Sequence, residues 1–397
     1  MTLAERIAAP PGAARERIAA SIGEFTALRQ EFHHHPELAF QERRTAARIA
    51  ALLEGWGYTV TRLAGTGVVG TLRNGPGRAL AIRADIDALP ILEATGLPFA
   101  SAVPGVMHAC GHDGHTAILL AAARYLAETR RFEGSLHLIF QPAEEIGQGA
   151  RRLIGEGLFD LFPVDAIFGL HNWPGVEAGR IGILEGPAMA AIDQVEFRVR
   201  GRGGHGAAPQ EAVDPVVAAA HAITALQSVV ARNVDPLEAA VVTVGTIHGG
   251  TASNVIPDSV EMKLTLRSFA PGVREVLAQR VPAVLAGTVE ALGARGEVDY
   301  RPGFPAVFNH ADEARLARTA AVQALGAAAV LPDFRPRTAS EDFAWYLLER
   351  PGAFLFLGNG PGAPLHSPEY RFNDDIILPG ATLWATLAER FLSGDSE

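Results

Sequence analysis

Apolar positions along the first part of the chain fall into two rhythms. Residues 16–34 and 42–55 are amphipathic with helical spacing, and Gly55-Trp56-Gly57 stops the second stretch. Residues 68–72, 79–84 and 136–140 are short apolar or β-branched runs that predict strands, and residues 115–129, between the last two, predict a helix. Strands alternating with helices predict an α/β fold with a mixed, mostly parallel sheet covered by helices. Such sheets bind ligands beyond the carboxyl ends of their strands. Asp85-Ile86-Asp87, Glu144-Glu145 and His171 each follow an apolar run, so they are expected to meet in one crevice.

From about Asp193 the rhythm changes to strand 194–200, helix 215–231, strand 239–248, strand 259–267, helix 273–292 and strand 297–301. This β-α-β-β-α-β order predicts a ferredoxin-like α+β domain. Gly/Pro-rich flanks, Glu185-Gly-Pro-Ala and Pro302-Gly-Phe-Pro, mark it as an insertion at 188–303 within a discontinuous domain of 1–187 and 304–397. The first pattern then resumes with helices 312–325 and 341–348, a strand at 353–357 and a closing helix at 378–392. There is no internal repeat.

Composition narrows the classes. A chain of 397 residues is long enough for two domains. A formal charge of −10 without a Lys/Arg run argues against nucleic acid. No uninterrupted apolar run approaches the roughly 18 residues of a spanning helix, and residues 1–22 carry no apolar leader core. A cytoplasmic protein with no membrane partner is expected. The single cysteine, Cys110, makes no internal disulfide and fits a reducing compartment.

Chemistry concentrates around that thiol. Met107-His108-Ala109-Cys110-Gly111-His112-Asp113-Gly114-His115 places sulfur, imidazoles and a carboxylate just before a helix, whose N-terminus is expected to lower a thiol's pKa. Each residue alone also reads as a buried thiol or a loop histidine; together in one glycine-rich turn they read as metal ligands. In Gln141-Pro142-Ala143-Glu144-Glu145 the two carboxylates should point apart from an extended backbone, one towards a metal and its neighbour towards a water whose proton it takes. With His171 and His366, the set Cys110, His112 and Glu145 offers ligands for two ions with open positions. In the insertion, His205 stands in a Gly-rich loop where it can donate to an oxyanion; the bland alternative is an exposed turn. Asn254 and Arg267 are candidates for holding a substrate amide and carboxylate, and ordinary structural roles suit them equally.

The order Cys-Gly-His-Asp-Gly-His, Gln-Pro-Ala-Glu-Glu, Gly-Leu-His, Gly-Gly-His-Gly-Ala-x-Pro, Ala-Ser-Asn-Val-Ile-Pro and Ser-Glu-Asp-Phe resembles one family across nearly the whole chain. This is the hippurate hydrolase, N-acyl-amino-acid amidohydrolase and auxin-conjugate hydrolase group of the aminoacylase and carboxypeptidase superfamily. The resemblance implies a catalytic domain with an inserted lid that forms a homodimer, with higher oligomers open. It implies metal ligands Cys110, His112, Glu145, His171 and His366, general base Glu144, and His205 acting on the partner subunit's site. Asp85-Ile86-Asp87 stands where wider relatives carry His-x-Asp, which leaves Asp87, with Asp113, as a carboxylate behind the ligands. Two divalent ions are implied, zinc or manganese, with cobalt or nickel as alternatives. The expected substrate is a small N-acyl amino acid such as hippurate. The rivals are an N-acetyl-diaminopimelate deacetylase, a dipeptidase, a metal-stabilised binding protein, and a redox role for Cys110, which lacks a resolving cysteine. Trp173, Phe304 and Phe308 are aromatic candidates for a substrate pocket.

Overall fold

The computed structural model describes residues 13–393, so the start of the N-terminal stretch read above lies outside the described residues. The chain divides into two compact units: Met1–Ala188 with Phe308–Arg335 and Asp342–Glu397, and Met189–Val307 with Pro336–Glu341.

The first unit is built on a seven-stranded sheet in the order Thr59–Leu63, Gly67–Asn74, Gly134–Gln141, Ala79–Asp85, Ala166–Pro174, Gly352–Gly360, Ile181–Gly182. The pairings among the four strands from Gly134–Gln141 to Gly352–Gly360 are parallel and the outer ones antiparallel, so five of the seven strands run one way. Burial on both faces explains the continuous apolar runs: Leu80, Ile82, Leu136, Leu138, Phe140, Phe168, Leu355 and Leu357 are all in the core. Helices His112–Thr129 and Ile377–Ser393 pack together, and Trp384 is buried among these residues.

Three differences from the sequence pattern have local causes. The stretch 16–34 is two helices, Ala13–Ala19 and Ile22–His34, broken where Ser21 Oγ donates back to Ile18 O at 3.3 Å. Edge strand Thr59–Leu63 was invisible because its side chains are only partly buried and form no apolar run. The helix expected at 341–348 starts only at Ala344, since Asp342 is drawn to Arg83 and Gln141.

The second unit is an antiparallel sheet in the order Ala240–His248, Ser259–Ser268, Ala191–Arg200, Arg295–Pro302. With helices Pro215–Asn233 and Pro271–Ala291 it has the β-α-β-β-α-β order expected. Alternation does the work here: Val195, Phe197 and Val199 face the core with Leu226, Val229, Leu277 and Leu285, while Glu196, Arg198 and Arg200 face outwards. Asp214 caps Pro215–Asn233 by accepting from Val216 and Val217 N–H. That helix is the one described helix long and apolar enough to cross a membrane. Its apolar face supplies this core.

Candidate metal centre

The parallel strands deliver the chemistry to one end of the first unit's sheet. Ala79–Asp85 ends in Asp85, Gly134–Gln141 runs on to Glu144 and Glu145, Ala166–Pro174 carries His171, and the segment after Gly352–Gly360 carries His366. The helix holding His112 starts three residues before its expected position, at His112 itself. Its N-cap, Gly111, has φ +90°, and a Cβ there would lie 2.6 Å from Tyr370 Oη, so only glycine fits.

Of the five groups of ligand-type atoms that fall within 4.8 Å among the described residues, two contain the thiol: Cys110, His112 and His171, and Cys110, Glu145 and His366. They share the Cys110 sulfur. Sγ lies 3.2 Å from His171 Nε2, His366 Nε2 lies 3.3 Å from Glu145 Oε2, and His112 Nε2 lies 3.8 Å from Glu145 Oε1. Ring orientation is fixed from behind. His112 Nδ1 donates to Asp87 O at 2.9 Å and His171 Nδ1 to Asn172 O at 2.6 Å, which turns both Nε2 lone pairs inward. Buried His112 Nε2 and Glu145 Oε1 have no hydrogen-bond partner among the described residues. Orphaned imine and carboxylate atoms converging beside a thiol fit a cation well.

The electrostatics describe a site built for positive charge. Burial would lower the His112 pKa, but Asp85, Asp87 and Glu145 outweigh it and push it up to about 10, so a cation entering here displaces a proton from this ring. Burial, His115 and His112 hold His171 well below the ordinary imidazole range, in the neutral form a ligand needs. Burial disfavours ionised Glu145, yet His366 and His112 bring its pKa below the usual carboxylate range. Cys110 corrects an expectation. Burial, with Glu145, Glu144 and Asp85 adding to it, drives its thiol well up, so the helix N-terminus does not set its direction. The same burial and acids disfavour the thiolate on which a redox or nucleophilic role would depend.

The carboxylate pair also corrects one. The strand ends at Gln141, Ala143 takes φ 55°, and Glu144 and Glu145 lie on a turn instead of extended backbone. Both carboxylates therefore come within ligand range of His112. Glu144 is buried, and the Asp342 N–H donates to its Oε1 at 3.4 Å.

Asp87 accepts the Glu145 N–H at 3.0 Å and stands behind His112. Asp113 faces the other way: its partners are His33 Nδ1 at 2.9 Å and Arg29 Nη1 at 3.4 Å, so it anchors this segment to the N-terminal helix. Residues given no individual role from the sequence complete the frame. His115 donates to Asp85 at 2.6 Å through Nδ1 and accepts the Asn172 N–H at 2.9 Å through Nε2, so both its nitrogens are engaged. Asn172 Nδ2 donates to Cys110 O at 2.7 Å, and Tyr370 Oη donates to Asn172 Oδ1 at 2.6 Å. Trp173 stacks edge-on to His171 at 6.0 Å, whereas Phe308 is half exposed.

In the second unit His205 pairs with Val255 in a short ladder, and the Gly206 N–H donates to Asn254 O at 2.8 Å. A Cβ on Gly206 would meet that oxygen at 2.9 Å, so glycine permits the approach that sets His205 beside Asn254. His205 is exposed, and its Nδ1 accepts the Ala207 N–H at 3.0 Å. Arg267 is partly buried, with its hydrogen bonds directed to Thr265 and Leu266 O. No described contact joins it to His205 or Asn254.

Comparison with known proteins adds three findings. Residues 81–390 match the model of peptidase family M20/M25/M40. Over 372 residues the chain is 40% identical to a hippurate hydrolase of Campylobacter jejuni, covering 93% of this chain and 97% of that one, and over 373 residues it is 41% identical to an N-acetyl-L-cysteine deacetylase of Bacillus subtilis, covering 93% and 88%. The crystal structure of the Bacillus subtilis YXEP protein, a dinuclear metal binding peptidase from the M20 family, is similar with a TM-score of 0.83 and 36% identity, covering 96% of this chain and 100% of that one.

Proposed function

The chain belongs to peptidase family M20/M25/M40, and from that premise we propose that it is a metal-dependent amidohydrolase cleaving N-acyl amino acids to a carboxylic acid and a free amino acid. The observation that carries this reading is the pair of ligand groups sharing buried Cys110, one fully buried and the other opening outwards at His366, with Glu144 beside them. Two divalent ions would be held by Cys110, His112 and His171 and by Cys110, Glu145 and His366, with zinc or manganese as the preferred metals. When bound, such ions polarise a scissile carbonyl and acidify water.

The chain's own residues do the rest. Glu144 takes the proton of the attacking water and delivers it to the leaving nitrogen, which makes expulsion of an amine feasible. Asp87 and the Asn172 carbonyl keep His112 and His171 in the tautomer that ligates. His205 has its Nδ1 engaged, leaving Nε2 to donate to an oxyanion, and we assign it to the site of a partner subunit in a homodimer. Asn254 and Arg267 are assigned to the substrate's amide and carboxylate. The outer edge strand Ala240–His248, with Val241 and Ile247 exposed, supports association through this unit.

The relatives' substrates differ in acyl group, aromatic in hippurate and acetyl in N-acetylcysteine, so the test must span both. Metal-stripped protein is assayed on hippurate and on a panel of N-benzoyl and N-acetyl amino acids, with each divalent metal restored, beside Glu144→Gln. Metal-dependent hydrolysis that falls by about 10³-fold or more in Glu144→Gln, with metal content unchanged, is the expected result. Silence across the panel in metal-loaded protein would overturn the substrate assignment, and an active Glu144→Gln would overturn the base.

A further inference from the structure

The helix Arg43–Gly55 is capped by an outsider. Glu42 occupies its N-cap position yet makes no capping hydrogen bond. The Arg44 and Thr45 amides donate instead to Glu37, at 3.0 and 2.9 Å. That substitution releases the Glu42 carboxylate, which is fully buried and turns towards a different part of the chain. Oε1 accepts the N–H of Ala143 at 3.0 Å and that of Phe40 at 3.0 Å, while Oε2 accepts from Thr66 Oγ1 at 2.5 Å. No basic side chain pairs with it among the described residues.

Ala143 is the residue immediately before Glu144, and its φ of 55° is a left-handed conformation that costs an L-residue roughly 1–2 kcal/mol. Something must hold it. Burial and the nearby Asp87 both disfavour an ionised group at Glu42, so the carboxylate is kept there against its own electrostatics by the donors it satisfies.

We propose that Glu42 is a positioning residue: by gripping the Ala143 amide it holds the left-handed turn that brings Glu144 and Glu145 to the same side. Its catalytic consequence rests on the hydrolase reading above, but its grip on the turn does not. Glutamine preserves the arrangement, because its carbonyl oxygen accepts both amides and its NH2 donates to Thr66 Oγ1. Alanine abolishes it. Glycine at 143 would enter the same φ without strain and partly replace the missing grip.

The test compares Glu42→Ala, Glu42→Gln and the double variant Glu42→Ala/Ala143→Gly by kcat and KM on the best substrate, and by calorimetric titration of the metal-free proteins with zinc alone. Glu42→Ala should lose about 10- to 100-fold in kcat with KM changed less than about threefold, and should bind zinc about tenfold more weakly. Glu42→Gln should stay within about threefold of wild type in both. The double variant should recover about fivefold in kcat, the worth of roughly 1 kcal/mol of relieved backbone strain. Unchanged kcat and zinc affinity in Glu42→Ala, equal damage in Glu42→Gln, or no recovery in the double variant would each overturn the proposal. Should Glu42→Ala fail to fold by circular dichroism, Glu42→Asp takes its place: charge kept but reach lost should impair kcat where Glu42→Gln does not, and the reverse ranking overturns it. If wild type cleaves no amide, the hydrolase reading fails while the zinc titration still decides the role of Glu42.

Discussion

Asp85, Asp87 and Asp113 stand fully buried at one end of the first unit's sheet, each held by histidine, arginine or backbone donors, whereas the second unit's candidates His205 and Asn254 and the charges on its outward sheet face lie in the open. There, His205 and Asn254 are exposed and joined through main-chain hydrogen bonds, and the outward sheet face carries pairs such as Arg198 with Glu261, about half exposed. The difference is one of dielectric. A buried ion must have its partners in place or the fold suffers, and the same requirement fixes ligand atoms to within a fraction of an ångström. An exposed ion is hydrated whether paired or not, so these exposed residues contribute little to stability, and any role they have lies in what they contact. If this contrast is right, breaking the first region damages folding and chemistry together, and breaking the second damages function alone.

The largest stability effect should come from Arg29. Its guanidinium is buried and hydrogen-bonded to Asp374 at 2.8 and 2.9 Å, with Asp113 at 3.4 Å. Arg29→Met leaves Asp113 and Asp374 without that charge, and about 3–5 kcal/mol of stability should disappear in urea unfolding. A loss below about 1 kcal/mol would erase the contrast. The cluster also sets a pH signature. Burial opposes the charged His33, but hydrogen bonds to Asp113 and Glu93 prevail and raise its pKa from 6.5 to about 9. A raised histidine contributes fully below pH 6.5 and loses that contribution as pH climbs through 9, so wild type should weaken across this window and His33→Gln should not.

Sequence made one side of this comparison far more readable than the other. Cys110, His112 and the Glu144-Glu145 pair announced themselves by residue type and spacing, and the apolar runs between them foretold the strands that bring them together. What escaped was everything that works by long-range pairing. Glu42 reaches Ala143 across 101 residues and Arg83 reaches Asp342 across 259; Ala143 and Asp342 lie in motifs that stand out, but nothing local points to Glu42 or Arg83 as their partners. Asp85 had the best signal, since it ends a strand two residues before Asp87, but only the fold shows that it serves His115 and Arg83. The thiol's direction was misjudged for the same reason: the helix N-terminus is local and visible, while the burial and the acids that outweigh it are supplied by distant parts of the chain.

His205 tests the other half of the contrast. His205→Ala removes an exposed ring, so the melting temperature should stay within about 1 °C of wild type, whereas kcat should fall by about 10²–10³-fold if the ring supplies an oxyanion donor. Mixing inactive Glu144→Ala subunits with inactive His205→Ala subunits should restore activity, because one site of each heterodimer then has both residues. Verified heterodimers that stay silent would remove the partner-subunit assignment. A falling melting temperature would instead make His205 structural and weaken the division between the two regions.

The smallest effect is expected at Arg198 and Glu261, which face each other across neighbouring strands of the second unit's sheet. Coulomb attraction at such a site is screened by water and salt, and ordering two long side chains offsets most of what remains. Single replacements Arg198→Gln and Glu261→Gln and the double variant form a cycle whose coupling should be about 0.5 kcal/mol or less at low salt and smaller still at 0.5 M. A coupling of about 2 kcal/mol that resists salt would mean that the outward face is shielded from solvent in the protein as it exists in solution. That result would itself be evidence for a second surface covering this sheet.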